Sequence, residues 1–491
     1  MQSGTDPHDR DVTLEAAAAQ VRDALEVLGP AQHSARAALL NDLGELLRRE
    51  GDTVGARQAF MDAARHARSV GDGELLGQAA LGYGLGAGGL HRALRCDLQH
   101  IALLEESLSA LGAVESPLRV RLLARLAEEL YFTPEINARA ALGAEAIAMA
   151  RRLGDRAVLL PALHARELGH VGPDVPIDER IRDAGELIAL ADELGDDEAA
   201  YLGHMLRELA YMEAGRRHDA LPDLEAAEAL AGRVAVPGLL AWAATARARQ
   251  NCLAGRFAEA EADNARAMAH ALEKGGDPDV ANLVVGGQLL SMQILRVDLG
   301  QFVPALQAYL ADYPHFGILR CFTAYALSES GDLEAARKAL QDLSAHGFVE
   351  SGRNTEWPGT MWALSRVATA VHEQQLGAHL YAELAFCSGR WFADWVSTCL
   401  GPVDTSLGML AALSHAHDVA DRHFEDAQRQ ALENEAPPWH ADAQVQHAAA
   451  LLRRGGESAR VRAEALLTEA VATCDRIGLD ALGALGRTLQ S

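Results

Sequence analysis

The sequence predicts an all-α protein, a continuous solenoid of roughly ten to twelve helical hairpins. Long stretches of the 491-residue chain carry apolar residues at the three- and four-residue spacing of one helical face. Glycines, often followed by aspartate, punctuate these stretches where one helix ends and the next begins. The aromatic fraction is only 5% and small apolar residues abound, which favours close-packed helices over strands. No segment is a convincing strand, since the nearest, Asn282–Gly287, has helical flanks.

The repeating unit is clearest in one helical pair near the N-terminus. Residues 40–47 read Leu-x-x-Leu-Gly-x-x-Leu, which places the leucines on one face and lets a neighbour approach closely at Gly44. The chain turns at Gly51-Asp52, and residues 56–63 then read Ala-x-x-x-Phe-x-x-Ala, the inner face of a second helix. This is the signature of a tetratricopeptide repeat (TPR), a helix–turn–helix of about 34 residues. The predicted fold is therefore a right-handed α-solenoid of TPR-like hairpins.

The second half of this unit recurs along the chain. Its copies begin at Gly215, Gly255, Gly300 and Gly331, at His415 in place of glycine, and, in stretched form, at Gly455. The first four turns are 40, 45 and 31 residues apart, so the repeat is degenerate. The expected domains are a capping helix over 1–30 and a continuous solenoid over 31–485, with a regular part over 31–350, a Trp-rich part over 351–445 and a C-terminal repeat over 446–485.

Composition argues against several classes of function. With 44 Lys and Arg against 69 Asp and Glu, the net charge is −25, which repels nucleic acid and favours basic or neutral partners. Only two of the basic residues are lysines and no eighteen-residue apolar window exists, so we expect neither a polybasic membrane patch nor a membrane span. The N-terminus lacks a signal-peptide pattern, and six cysteines without a C-x-x-C pair favour a reduced, cytoplasmic location.

Four groups of segments in this chain follow one another in the same order as the corresponding segments of a known group of proteins. They are Leu122–Phe132; Leu163–Arg166 with Gly172–Asp174; Gly389-Arg390 with Cys399–Val403; and Ala463–Ala470. This order, over about residues 35 to 485, resembles the TPR half of large bacterial regulators that have an N-terminal ATPase and, in some, a LuxR-type DNA-binding helix pair. The resemblance implies sensing of an inducer or a partner protein. The chain has no G-x-x-x-x-G-K-[ST] loop and no basic helix after residue 470, so those two parts are missing. The chain is then either an excised portion of such a regulator or a stand-alone descendant, and Met1 with an ordinary polar N-terminus favours the stand-alone case.

Four polar or glycine-rich patterns are weak signals. Gly84-x-Gly86-x-x-Gly89 matches a dinucleotide-binding loop but follows a helix instead of a strand, so we expect an interhelical turn and no cofactor. The five histidines between 415 and 447 lack the i, i+4 spacing of a zinc site on a helix, so we expect no metal. Residues 164–170 hold a polar group that either lines a groove or has a structural role, and Glu128-Glu129 is predicted to be surface charge.

The distribution of tryptophan is the most informative irregularity. Five of the six tryptophans lie between residues 357 and 439. One interpretation is that these large side chains fill the core where the repeats become irregular. The other is a concave pocket with aromatic walls and an arginine that fixes the charge of an apolar or planar ligand. The candidate ligand-binding residues are Trp362, Arg366, Arg390, Trp391 and Trp395.

The leading functional hypothesis is a regulatory binding protein. The concave face of a solenoid is a continuous surface, which suits a small effector or a peptide segment of a partner protein. One alternative is a stand-alone enzyme that modifies a metabolite in the aromatic cavity, for which His372, Glu373 and Asp394 are the residues to test. A structural adaptor is a third possibility, and uncovered terminal helices make a homodimer plausible.

Overall fold

The computed structural model describes residues 7–50, 52–84, 97–130, 136–169, 173–273, 278–312, 317–345, 356–393 and 398–491. These residues are almost entirely α-helical. The first twelve helices are α1 (Pro7–Val27), α2 (His33–Glu50), α3 (Thr53–Val70), α4 (Gly73–Gly84), α5 (Leu98–Leu111), α6 (Pro117–Glu129), α7 (Ile136–Leu153), α8 (Arg156–Gly169), α9 (Ile177–Leu194), α10 (Asp197–Glu213), α11 (Arg217–Val234) and α12 (Pro237–Leu253).

The second half of the chain continues in the same way. Its helices are α13 (Phe257–Ala271), α14 (Pro278–Gln293), α15 (Val303–Asp312), α16 (Gly317–Glu329), α17 (Leu333–Ala345), α18 (Trp357–Ala370), α19 (Gln374–Leu384), α20 (Val403–Leu413), α21 (His417–Glu433), α22 (Pro437–Arg454), α23 (Glu457–Ile477) and α24 (Asp480–Gln490). Two short 3₁₀ helices, Leu299–Phe302 and Ala385–Cys387, precede α15 and follow α19.

The helices form two compact units. The first comprises residues 1–170 and 186–199, and the second comprises residues 171–185 and 200–491. In the first unit α2, α4, α6 and α8 contact one another in succession, and in the second α16, α18, α20, α22 and α24 do the same. Contact between alternate as well as consecutive helices is typical of stacked helical hairpins, so the fold is an all-α solenoid, as predicted.

The TPR-like unit of the first pair is confirmed at the level of side chains. Ala56, Phe60 and Ala63 are all buried on α3. A Cβ atom placed on Gly44 would lie only 2.7 Å from the Phe60 ring, and one on Gly82 only 2.2 Å from it. The Phe60 ring therefore fits only because residue 44 on α2 and residue 82 on α4 are both glycine. This explains the close approach of a neighbouring helix that the sequence predicts at Gly44.

The turns of the second unit share one backbone conformation. Gly215, Gly255 and Gly331 have φ angles of +64°, +72° and +81°, in the left-handed region that favours glycine. His415 has a φ of +58°, so it occupies the turn position at which the repeat otherwise places glycine. Gly300 differs, because it lies inside the 3₁₀ helix before α15.

A short hairpin of strands departs from the purely helical prediction. Strands β1 (Trp391–Ala393) and β2 (Cys399–Pro402) pair antiparallel, with Trp391 opposite Pro402. Each strand is too short for an alternating apolar pattern to show in the sequence. The segment that came nearest to a strand, Asn282–Gly287, lies within helix α14, as its flanks predict.

Within the part of the chain that the structure describes, no helix combines the length and the apolar character that crossing a bilayer requires.

Candidate functional site

Two of the predicted ligand-binding residues, Trp362 and Arg366, lie one turn apart on α18 and contact each other. The guanidinium carbon of Arg366 lies 4.3 Å from the centroid of the Trp362 ring. Arg366 Nη2 donates to Asp442 Oδ2 on α22 at 2.5 Å, and both charged side chains are buried. Burial acts to lower the pKa of Arg366, but the Asp442 carboxylate outweighs it and the pKa is raised. Asp442 could not be recognised from the sequence as the partner of Arg366, because it lies 76 residues away.

Trp362 packs among aromatic rings from two other helices. It stacks on Phe322 at 6.0 Å between centroids and meets Tyr325 and Trp439 edge-on at 5.0 and 6.5 Å. Only 1% of its surface is exposed. This arrangement agrees with the interpretation in which the tryptophans fill the core. Contact between Trp362 and a ligand stays a prediction.

Arg390 and Trp391 belong to a second group, at the start of the hairpin. Arg390 Nη1 donates to the carbonyl oxygen of Pro173 at 2.8 Å and lies 3.3 Å from Glu213 Oε1. Trp391 is 2% exposed, and a Cβ placed on Gly215 would lie 2.7 Å from its indole nitrogen. The indole ring therefore rests on the Gly215 turn. Its N–H has no hydrogen-bond partner among the described residues.

Of the remaining predicted site residues, two lie in a turn and two lie outside the residues that the structure describes. His372, with a φ of +56°, and Glu373 form the turn between α18 and α19, where the Glu373 N–H donates to Ala368 O. His372 is an exposed residue of this turn, and a catalytic role for the pair stays a prediction. Asp394 and Trp395 lie outside the described residues.

Asp404 is the centre of a buried polar network that the sequence did not indicate. The carboxylate is fully buried and accepts hydrogen bonds from Ser388 Oγ at 2.8 Å, the Gly389 N–H at 2.7 Å, His423 Nδ1 at 2.7 Å and Gln430 Nε2 at 2.8 Å. Burial acts to raise the pKa of Asp404, but these donors outweigh it and the pKa is lowered. The network fixes the loop before β1 to helices α20 and α21.

His423 extends this network to the surface of the second unit. Because Nδ1 faces a carboxylate, it carries the proton, and Nε2 then accepts from the Tyr381 hydroxyl at 3.1 Å. Tyr381, His423 and Asp404 thus form a row of hydroxyl, imidazole and carboxylate.

In the first unit, the polar residues near α6 are structural partners, and one prediction about them is wrong. Glu129 is mostly buried and lies 3.1 Å from His100 Nδ1 and 2.6 Å from Arg125 Nη2. Glu128 lies 2.9 Å from His164 Nδ1. Burial acts to raise the pKa of Glu129, but His100 and Arg125 outweigh it and the pKa is lowered. The carboxylate pair is therefore part of a buried cluster, not surface charge.

The second unit is held together by contacts between its early and late helices. The Arg217 N–H donates to Asn434 Oδ1 at 2.8 Å, and the Ala481 N–H donates to Arg296 O at 3.1 Å. Gly255 leaves room for Ile477, since a Cβ there would lie 3.1 Å from the isoleucine. These contacts place the end of α21 and the start of α22 beside the turns of the earlier repeats.

A groove with an empty volume of about 660 Å³, open to solvent, lies between the end of α21, the start of α22 and the last turns of α23. Its lining residues are Ala431, Leu432, Glu435, Ala436, Pro437, His440, Glu469, Ala472, Thr473 and Arg476. Leu432 is 62% exposed, which is unusual for so large an apolar side chain. The groove therefore offers apolar surface and charged groups together.

His440 is the polar group most deeply set in this groove. It is 7% exposed, and its ring forms no hydrogen bond with a described residue. Burial lowers its pKa, while the nearby Glu469 carboxylate acts in the opposite direction. Glu469 and Arg476 likewise form no ion pair with any described residue. By contrast, Glu435 lies 3.7 Å from Arg217.

A much smaller cavity, of about 20 Å³, lies beside the start of α22. It is lined by Arg249, Cys252, Phe257, Gln288, Ser291, Met292, Leu295, Cys399, Pro438 and Trp439. Burial raises the pKa of Cys252 to about 12, so this sulfur is a protonated thiol at neutral pH. Across the described ranges, no three His, Cys, Asp or Glu side chains come together as a set of metal ligands.

Comparison with known proteins assigns no family. No family model and no curated protein matches the chain. Among solved structures, aspartyl phosphate phosphatase F from Bacillus subtilis aligns at 10% identity over 88% of this chain and 96% of its own, with a TM-score of 0.37. A circular tandem repeat protein with a novel repeat topology aligns at 13% identity over 98% of this chain and 96% of its own, with a TM-score of 0.16. Neither likeness is close enough to assign a function.

Proposed function

We propose that this chain is a helical-repeat binding protein whose groove between α21, α22 and α23 holds a small effector or a peptide segment of a partner, in a regulatory role. The observation that carries the proposal is the groove itself. About 300 Å³ of its empty volume is cavity, which lies at the lower end of the roughly 300–1,000 Å³ of ligand pockets. Apolar side chains and free polar groups line it together, as expected where a few polar groups orient a mainly apolar ligand.

The residues that the sequence singled out have a supporting place in this proposal. Asp442 is two residues from His440 on α22, and its ion pair with Arg366 ties that helix to α18. Trp439, next to His440, packs edge-on against Trp362. These contacts fix the helix that carries the groove's histidine. Direct ligand contact by Trp362, Arg366, Arg390, Trp391 or Trp395 stays a further prediction.

Native mass spectrometry of protein purified gently from a cell extract tests the proposal. The Ala472→Trp variant fills the groove from α23, and Val461→Glu changes an exposed residue (58%) of the same helix outside it. We expect a small bound species or a bound peptide on the parent and on V461E, and none on A472W. The proposal is wrong if the parent carries nothing, or if a folded A472W, verified by circular dichroism, keeps the same species.

An enzyme remains a second candidate because of one observation, the row of Tyr381, His423 and Asp404. A hydroxyl that hydrogen-bonds to an imidazole, which a carboxylate in turn orients, is the arrangement of groups used in nucleophilic catalysis. Hydrolysis of p-nitrophenyl acetate above background, lost in Y381F, would favour this candidate. Equal rates for the parent and Y381F would leave binding as the function.

A further inference from the structure

We infer that the groove is a site for a short zwitterionic peptide, with the peptide's ammonium group between Glu469 and His440 and its carboxylate at Arg476. This inference rests on the proposed function and names the ligand class.

The two charges lie on one face of a single helix. Glu469 and Arg476 are both groove residues of α23, and seven residues separate them. Seven residues are close to two helical turns, so both side chains point the same way, with about 10 Å of rise between them. Neither forms an ion pair with a described residue, so both are available to a ligand. A negative and a positive group are thus presented at a fixed separation.

This separation selects a short chain. An extended peptide advances about 3.3–3.6 Å per residue, so about three residues span 10 Å between a free amino group and a free carboxylate. The groove also has exposed apolar lining residues, Leu432 and Ala472, which are available to the peptide's side chains. A purely cationic ligand would meet Arg476 at one end, and a purely anionic ligand would meet Glu469 at the other. A zwitterion satisfies both ends.

The buried histidine indicates the end that takes the ammonium group. His440 forms no side-chain hydrogen bond with a described residue, and it lines the groove, so its ring is available to a ligand. Because burial lowers its pKa, the ring is neutral at pH 7 and one nitrogen is an acceptor. An ammonium group beside Glu469 can donate to that nitrogen. A bound peptide therefore supplies the hydrogen bond that the chain itself does not.

Calorimetric titration with trialanine, N-acetyl-trialanine and trialanine amide tests this assignment. Because the charges are near the surface, we expect blocking either end to weaken binding by about two- to fivefold. In E469Q, N-acetyl-trialanine should bind nearly as tightly as trialanine, so the loss of affinity on acetylation disappears. In R476Q, trialanine amide should bind nearly as tightly as trialanine, so the loss of affinity on amidation disappears. E464Q and R460Q are matched controls, since both alter exposed residues of α23 outside the groove and should keep both penalties.

Each result is decisive for the ligand class. The inference is wrong if trialanine does not bind at millimolar concentration, if blocked and free peptides bind equally, or if E464Q removes the penalty for acetylation as E469Q does. If trialanine does not bind but A472W still lacks the co-purified species, the zwitterionic peptide is rejected and the groove remains a binding site. If trialanine does not bind and A472W keeps the co-purified species, the proposed function is rejected as well.

Discussion

Asp404 is a single buried side chain that holds the loop before strand β1 in place. It accepts four hydrogen bonds in a site without exposure to solvent, two of them from Ser388 and Gly389 just before β1. We expect D404N to lower the free energy of unfolding by about 2–4 kcal/mol. The new asparagine replaces one acceptor oxygen by an NH₂ group, which would then face the hydrogen-bond donors that Asp404 satisfies. Urea unfolding followed by circular dichroism measures this loss.

The matched control for Asp404 is Asp426, a half-exposed carboxylate on α21 that pairs with Arg429. D426N should change the free energy of unfolding by less than about 1 kcal/mol, because exposed ion pairs contribute little. Equal effects of D404N and D426N would mean that the buried network does not hold the loop.

The lowered pKa of Asp404 predicts a dependence of stability on pH. A carboxyl whose pKa is lower in the folded protein adds stability above its unfolded pKa of about 3.9, and this stability disappears as the pH falls through the folded value. We therefore expect the free energy of unfolding to fall below about pH 4 more steeply for the parent than for D404N. Parallel pH profiles for the two proteins would contradict this account.

At the scale of elements, the contact between the hairpin and a repeat turn gives a test with an internal control. Gly215 and Gly331 share the left-handed conformation, but only Gly215 lies against another side chain, the Trp391 indole. We expect G331A to cost about 1–2 kcal/mol for its backbone alone. G215A should cost about 1–3 kcal/mol more, because its methyl group overlaps the ring.

A double-mutant cycle shows whether Trp391 is the cause of that difference. In a W391A background the G215A substitution should cost no more than G331A does, since the indole ring is gone. If G215A remains as costly in W391A, the ring does not rest on the turn. W391A itself should lower the free energy of unfolding by about 3–5 kcal/mol while the helices form, as expected for a core side chain.

The sequence predicted the helices well and the hairpin not at all. The predicted helical pair at residues 40–47 and 56–63 corresponds to α2 and α3, because an apolar face repeats over several turns in each. Strands β1 and β2 have three and four residues, which is too short for a period. His415 was identified as a turn residue only because the spacing of the repeat places a glycine there.

Site residues were harder to predict than elements for a physical reason. The contact between Trp362 and Arg366 follows from their spacing in the sequence, since residues i and i+4 meet on one face of a helix. The partners that decide their environment, Asp442 and Trp439, come from another helix far along the chain. The groove likewise joins the end of α21 to the end of α23, and only the packing of the folded chain brings these ends together.

At the scale of the whole molecule, the net charge of −25 shapes association. A surface this negative speeds encounter with a cationic partner and slows encounter with an anionic one, and salt screens both effects. We expect the association rate of a basic peptide to fall as sodium chloride rises from about 0.05 to 0.5 M, over which the screening length shrinks severalfold. Stopped-flow measurements would contradict this if the rate did not change.

The central claim is that the groove between α21, α22 and α23 is the ligand site. Hydrogen–deuterium exchange on ligand-loaded and ligand-stripped protein tests it most directly, because it reports which helices a ligand covers. The account predicts slower exchange on loading in residues 431–440 and 469–476, with A472W showing no such change. Slower exchange confined to 357–393, or none in the groove segments, would contradict it and return the site to the tryptophan-rich part of the chain.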